Sequence, residues 1–313
     1  MKLFRDLFSP RTPWTTPLVV LSLILAGLMY MRTVSSRSGE EGFESGALLR
    51  QLNAGEKYAM KRGVAAFDDF YAEFYDQIYK TADRAEFEAE LLIKNTQMDS
   101  TSNVLDIGCG TGCLVSKLAQ RNIRAQGTDP SPSMIGKSPA GCRTTPFDER
   151  DSMAFERGEL THVLALDRTV YKVADKVAFF RKCHHWLVPG GYLAVHLVDP
   201  AKFDAIVPLA KSLSRLDALP PARTKRITAS VIDFADMKYK SAYEFDDAIG
   251  GVVVQKETFT DAATGQIRQN EHIFAMDSID KVVETAQFCR FSLVGQYNYA
   301  LDPNQFVYIF SKM

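Results

Sequence analysis

The stretch Val104-Leu105-Asp106-Ile107-Gly108-Cys109-Gly110-Thr111-Gly112 decides the fold. Asn103–Ile107 is a short apolar run between polar residues and glycine, the pattern of a buried parallel strand. A Gly-X-Gly-X-Gly turn follows, with a helix predicted over about 112–120. Glycine suits such a turn because the backbone can enter conformations a Cβ forbids, and because a ligand can approach the main chain closely. The spacing separates two rivals. A dinucleotide fingerprint counted from Gly108 requires Gly or Ala where the chain has Cys113, and a phosphate loop requires Gly-Lys-Ser/Thr. Both are disfavoured, leaving a strand-turn-helix unit that cradles another ligand or is a plain tight turn.

Working outward, apolar periodicity alternates between helix and strand. Residues 65–80 space Phe67, Phe70, Phe74 and Ile78 by three and four, as in an amphipathic helix, and 82–96 read the same way. Strands are predicted at 123–128, 161–166 and 191–198, with a helix at 174–187. This rhythm predicts an α/β fold, a Rossmann-like doubly wound open sheet. After residue 225 it changes: 227–240, 251–260 and 266–276 are strand-rich, with a turn in Asp261–Gln266, so an antiparallel sheet is inserted. A helix at 278–289 and strands at 291–299 and 305–312 close the chain. Asp129 lies at the tip of the second strand, where a carboxylate can accept hydrogen bonds from a ribose diol. The same residue, before Pro130-Ser131-Pro132, can instead cap the next helix.

The 313 residues are 46% apolar and 24% charged, enough for a sizeable core and unlike a disordered chain. With 37 basic and 38 acidic residues the formal charge is -1, which offers no broad basic face for nucleic acid. Cysteines 109, 113, 142, 183 and 289 are odd in number and widely spaced, which argues for reduced thiols. Cys183-His184-His185 lacks ligand spacing, so no metal is expected. The amino terminus differs from the rest. Pro17–Met31 is uncharged and, counted from Trp14, about 18 residues long; as a helix it spans about 27 Å against a hydrocarbon core of about 30 Å. It reads as a transmembrane anchor over 17–32, with a cleaved signal peptide and a buried helix as the alternatives. The predicted layout is a tail (1–16), the anchor, a Ser/Gly/Glu-rich linker (33–60) and a globular body (61–313) carrying the antiparallel cap at 225–276.

VLDIGCGTG (104–112), GTDPSPSMI (127–135), DSMAFERGELTHVLAL (151–166) and LVPGGYLAVHL (187–197) together resemble the class I S-adenosylmethionine-dependent methyltransferases, in particular their small-molecule branch. The resemblance covers about residues 65–313 and implies a seven-stranded Rossmann-like sheet and S-adenosyl-L-methionine as cofactor. It places Asp106, Gly108 and Gly110 beside the methionine part, with Cys109, Gly112 and Pro130 on the same surface. It assigns Asp129 to the ribose and Met134 to the adenine, and Asp151, Ser152 and Met153 to the adenine amino group. Leu166 and Asp167 would border the sulfonium, and Tyr71 and Tyr75 the cofactor carboxylate. Region 142–151 departs from the pattern and leaves Asp148 as an alternative to Asp151.

Methyl transfer from a sulfonium is an in-line displacement needing alignment more than acid–base help. Tyr171, Arg168, His196 and His272 are the candidates for acceptor contact. Asn270 and His272 share one strand face, opposite to Glu271, so His272 is the candidate base beside Tyr171. The expected acceptor is a small polar molecule, first an amine; a lipid headgroup or isoprenoid quinone, or a non-catalytic cofactor-binding scaffold, are the alternatives. The expected location is single-pass at a membrane with the body in the cytosol.

Overall fold

The computed structural model describes residues 57–146, 155–213, 226–246, 251–299 and 303–313. Its centre is β2 (Asn103–Ile107), the strand of the deciding stretch, flanked on one side by β3 (Arg124–Asp129) and β4 (Arg143–Pro146). On the other side come β5 (Leu160–Ala165), β6 (Leu187–Val198), β12 (Gln305–Lys312) and β11 (Phe291–Asn298). β2 to β6 run parallel, and β12 enters antiparallel between β6 and β11.

Strand alternation builds two cores from the same strands. Leu105, Val163, Leu193 and Val195 pack on one face with α5 (Lys176–Trp186) and α7 (Ile279–Phe288). Val104, Leu164, Ala194 and Ile309 pack on the other with α2 (Thr81–Thr96) and α3 (Cys113–Ala119). Helices on both faces make the sheet doubly wound.

A second sheet has the order β1-β10-β9-β8-β7, and all of its strands but the first are inserted between β6 and α7. Its antiparallel strands are β7 (Ala229–Asp233), β8 (Met237–Asp246), β9 (Val252–Asp261) and β10 (Ile267–Ala275). The strand-rich segment 227–240 holds one strand and the start of another, because Phe234 N–H donates to the Met237 carbonyl and closes a tight turn. β1 (Tyr58–Arg62) pairs parallel with β10, so part of the predicted linker is strand and sheet pairing reaches below residue 61. Its residues are only half-buried to exposed, which left no hydrophobic signature. The inner face packs on α1 (Asp69–Tyr79) through Phe70, Phe74, Tyr239 and Phe259. α1 starts later than predicted because Asp68 caps it, accepting from Tyr71 N–H, and residues 63–66 form a 3₁₀ turn. Lys80, at φ 47°, breaks α1 from α2.

The run 17–31, read above as an anchor, lies outside the described residues, and among those no helix is long and apolar enough to cross a membrane.

One ion pair ties the cap to the body. Arg268 on β10 is 1% exposed, and its guanidinium grips both Asp68 oxygens, at 3.0 and 2.8 Å, while lying 4.7 Å from the Phe70 ring centroid. Removing one partner strands a buried cation, which costs about 3 kcal/mol. Asp68→Ala, which also deletes the α1 cap, is expected to lower unfolding stability by at least that amount in urea titration; Asp68→Asn keeps an acceptor for the cap and should lose less.

Candidate functional site

The glycine turn takes left-handed φ at Gly108 (70°), Gly110 (57°) and Gly112 (74°). Its amides are pinned to the tip of β3. Gly108 N–H and Cys109 N–H donate to the Thr128 carbonyl at 2.7 and 3.0 Å, and Gly110 N–H donates to Asp129 Oδ2 at 3.0 Å. Asp129 Oδ1 accepts from Ser131 N–H at 2.9 Å. The four-residue helix α4 (Pro132–Ile135) is capped by Ser131, not Asp129, so Asp129 organises the turn and keeps lone pairs for a ligand. A Cβ on Gly108 would meet Thr169 Oγ1 at 2.7 Å, and one on Gly110 would touch Met134 Cε at 3.4 Å. Cys109 turns toward β3, where a Cβ on Gly127 would come within 2.6 Å of its sulfur. Burial, reinforced by Asp106 and Asp129, pushes the Cys109 thiol up, so it packs as a neutral group.

A cleft opens beside this turn, lined by Tyr75, Arg84, Glu88, Asp106, Leu166 and Asp167 among others. Arg84 Nη1 pairs with Asp167 Oδ2 at 2.9 Å, and Tyr75 O–H donates to the same oxygen at 3.0 Å. Arg84 Nε is buried with no hydrogen-bond partner, 3.8 Å from Glu88 Oε1. Tyr299 O–H donates to Glu88 at 2.6 Å. The three carboxyls differ in charge. Burial raises Asp106 well above the usual range, helped by Glu88, and pushes Glu88 up to about 7. Burial opposes ionisation of Asp167 too, but Arg84, Arg168 and Lys172 outweigh it and hold that carboxyl well below the usual range. One guanidinium among protonatable carboxyls suits a zwitterion: its carboxylate finds Arg84, and its ammonium finds Glu88 and Asp106.

On the cap side a polar layer is buried. Glu257 Oε1 accepts from Tyr79 O–H at 2.8 Å and Tyr239 O–H at 2.6 Å, while Oε2 lies 2.7 Å from His272 Nε2. Arg168 donates to Tyr243 O–H and to Asp167 Oδ1, the latter at 3.4 Å, and so joins cleft and cap. Lys172 is solvent-accessible, its Nζ 4.6 Å from the Phe67 ring centroid.

The candidate residues separate on this geometry. Tyr75 lines the cleft, but Tyr71 turns toward the cap, its O–H donating to Tyr79 at 3.5 Å and its ring 5.8 Å from that of His272. Tyr171 is a correction: its buried hydroxyl donates to the Val198 carbonyl at 3.2 Å and accepts from Val198 N–H at 3.1 Å, locking the end of β6 rather than meeting an acceptor. His196 is another. It stacks on Tyr299 at 4.5 Å, and burial pushes its imidazole down to about 3, leaving a neutral wall behind Asp167. Asn270 points inward, between Arg268 and the Ala66 carbonyl, and Glu271 points outward to Arg62. Asp151, Ser152 and Met153 lie outside the described residues, as does Asp148. Among the described residues no group of three His, Cys, Asp or Glu is placed to hold a metal.

A family profile described as a methyltransferase domain matches residues 104–191. Over that stretch the chain carries the match to a methyltransferase domain, and it is similar to the class I S-adenosylmethionine-dependent methyltransferases. It is 30% identical over 155 residues to a ubiquinone biosynthesis O-methyltransferase of Azorhizobium caulinodans, covering 44% of this chain and 61% of that one. The CcbJ methyltransferase of Streptomyces caelestis shares the fold with a TM-score of 0.60 at 17% identity, covering 80% of this chain and 100% of the other. CalS10 of Micromonospora echinaspora, an amino pentose methyltransferase solved with S-adenosylmethionine bound, aligns with a TM-score of 0.54 at 16% identity, over 78% and 96% of the two chains. The chain thus spans about three fifths of the length of the first of these relatives.

These residues fit S-adenosylmethionine, the cofactor that the methyltransferase-domain match implies. The unpartnered Arg84 Nε, the three left-handed glycines and the free lone pairs of Asp129 match its carboxylate, close-lying backbone and diol. Arg84 and Glu88 escaped the sequence reading because Arg-x-x-x-Glu on a helix looks like an exposed i,i+4 pair.

Glu88 makes binding depend on pH. A cationic ligand favours its carboxylate, so binding releases a proton wherever the free protein holds one. The affinity for S-adenosylmethionine is expected to rise by up to about tenfold per pH unit toward pH 7 and then flatten. Calorimetry in buffers of different ionisation heat should show proton release that Glu88→Gln reduces, the remainder coming from Asp106. In the unliganded protein the sign is opposite for stability: the folded state holds the extra proton between about 4.5 and 7, so this residue's contribution declines as pH rises through that window.

Proposed function

We propose that the protein transfers a methyl group from S-adenosylmethionine to the amine nitrogen of a small polar molecule held between the turn after β5 and the inner face of the cap sheet. The observation that carries this reading is the wall joining cleft to cap, in which ionised Asp167 and Glu257 stand among tyrosine hydroxyls. Such a wall favours a cationic, hydrogen-bonding acceptor over an apolar one. An amino pentose methyltransferase among the fold neighbours agrees with it.

The bound cofactor supplies an electrophilic methyl on a positively charged sulfur. The chain supplies position. Asp129 would hold the ribose diol, Arg84 the carboxylate, and Glu88 with Asp106 the ammonium, while Leu166 and Asp167 border the cleft. Alignment and exclusion of water are the main contributions to rate.

A second reading is methylation of a hydroxyl on an isoprenoid quinone or of a lipid headgroup, with residues 17–32 anchoring the body at the cytosolic face of a membrane. It rests on the named activity of the Azorhizobium relative and on the apolar run at 17–31.

The test uses the full-length chain. S-adenosylmethionine should bind, and Asp129→Ala should weaken binding by about 10–100-fold through loss of charge-assisted hydrogen bonds. Incubation with methyl-labelled cofactor, amino sugars, amino acids and polyprenyl phenols should put label into the water-soluble amines. Label confined to the organic phase favours the second reading, and absence of cofactor binding overturns both.

A further inference from the structure

The Glu257–His272 pair has no task in holding the cofactor. Glu257 exposes none of its side chain, yet it is ionised: burial acts to raise its carboxyl, and the bonds from His272 and Tyr239 overcome that. Since an ionised Oε2 can only accept, Nε2 of His272 carries a proton, and the neutral form of the ring keeps its lone pair on Nδ1. His272 keeps 5% exposure against none for Glu257, so the imidazole is the member of the pair on the open side. Its ring lies between aromatic walls, 4.8 Å from Phe67 and 5.8 Å from Tyr71. The charged and titratable groups around it are Glu257 from β9, Tyr239 from β8, Tyr71 and Tyr79 from α1 and, across the Phe67 ring, Lys172.

We propose that His272 is the catalytic base and Glu257 its positioning residue, and that the acceptor is an aliphatic amine that arrives as its ammonium ion. This rests on the amine reading above. Ionised Glu257 can hold an ammonium despite the neighbouring Arg168 and Lys172, but an ammonium has no lone pair for attack, so a site that binds it must also deprotonate it. His272 Nδ1 takes one N–H proton, and the freed lone pair forms the N–C bond to the methyl carbon. The C–S bond breaks as that bond forms, its electron pair stays on sulfur as a neutral thioether, and the imidazolium beside Glu257 passes its proton to solvent. Glu257 fixes the tautomer and stabilises the imidazolium, as the buried carboxylate does in a Ser-His-Asp triad.

The experiment uses the full-length chain with n-propylamine as the probe acceptor and methyl-labelled S-adenosylmethionine, reading kcat/KM against pH. Wild type is expected to level off well below the pKa of propylamine. His272→Gln and Glu257→Gln should move that limb up to the amine's own pKa and lower kcat/KM at neutral pH, by about 10²–10⁴-fold for His272→Gln. Cofactor affinity should stay within about twofold, and added imidazole should restore part of the His272→Gln activity. An unchanged pH limb in folded His272→Gln overturns the proposal, as does cofactor binding without propylamine methylation at any pH. Failure of wild type to bind cofactor would instead overturn the methyltransferase activity itself. Should the variants not fold, ¹⁵N spectra of wild-type histidines decide: the Nε2–H tautomer for His272 supports the dyad, and the Nδ1–H tautomer overturns it.

Discussion

Three amides of one turn held by the tip of the neighbouring strand are the constraint on which the site depends. Gly108 and Cys109 share the Thr128 carbonyl, and Gly110 takes the Asp129 carboxylate. The clasp requires the parallel register that sets Asp106 opposite Gly127 and Ile107 opposite Thr128. It also requires Gly127 to lack a side chain, since the Cys109 sulfur occupies that space. Once the turn is fixed, its glycine backbone is the floor of the cofactor cleft. Thr111, whose hydroxyl donates to Asp76 at 2.6 Å, then ties α1 to that floor and brings Tyr75 to Asp167.

What the sequence made legible follows from how local each signal is. The β2 stretch announced itself because glycine spacing and an apolar run occupy one window, and Asp129 because its distance from that turn is set by one helix and one strand. Glu257 announced nothing. On β9 it shares a face with Gln255 and Phe259, and only the sheet shows that this face turns inward onto α1. Tyr171 looked like an acceptor residue because it follows a strand tip, a position where functional side chains gather. Its partner is instead the backbone of Val198, 27 positions away, and pairing at that range leaves no trace in composition. β1 was hidden for the opposite reason: a strand with no buried face carries no alternation to read.

The polar groups of the site are arranged so that few charges are buried alone. Arg84 answers Asp167, Arg268 answers Asp68, and Glu257 is met by three hydrogen-bonding partners. Asp106 and Glu88 are less fully matched, Glu88 meeting only Tyr299 and, at 3.8 Å, Arg84, so burial wins and both hold their protons more tightly. This division suits a ligand that brings its own positive charge, because these carboxyls are neutral while the cleft is open and can ionise against the incoming cation.

Asp167 and Arg168 connect the two halves of the chemistry. Both take left-handed φ, 44° and 63°, which for non-glycine residues costs about 1–3 kcal/mol each. The strain turns successive side chains to opposite sides: Asp167 toward Arg84 and Tyr75, Arg168 toward Tyr243 and the cap. Those contacts offset it from both directions. A carboxylate bound at Arg84 would compete with Asp167 for the guanidinium, weakening one of the bonds that hold the strained pair, and the change would reach Arg168 through the shared backbone. The end of β5 is thus where the cofactor cleft and the polar layer beneath the cap meet physically, through two adjacent residues.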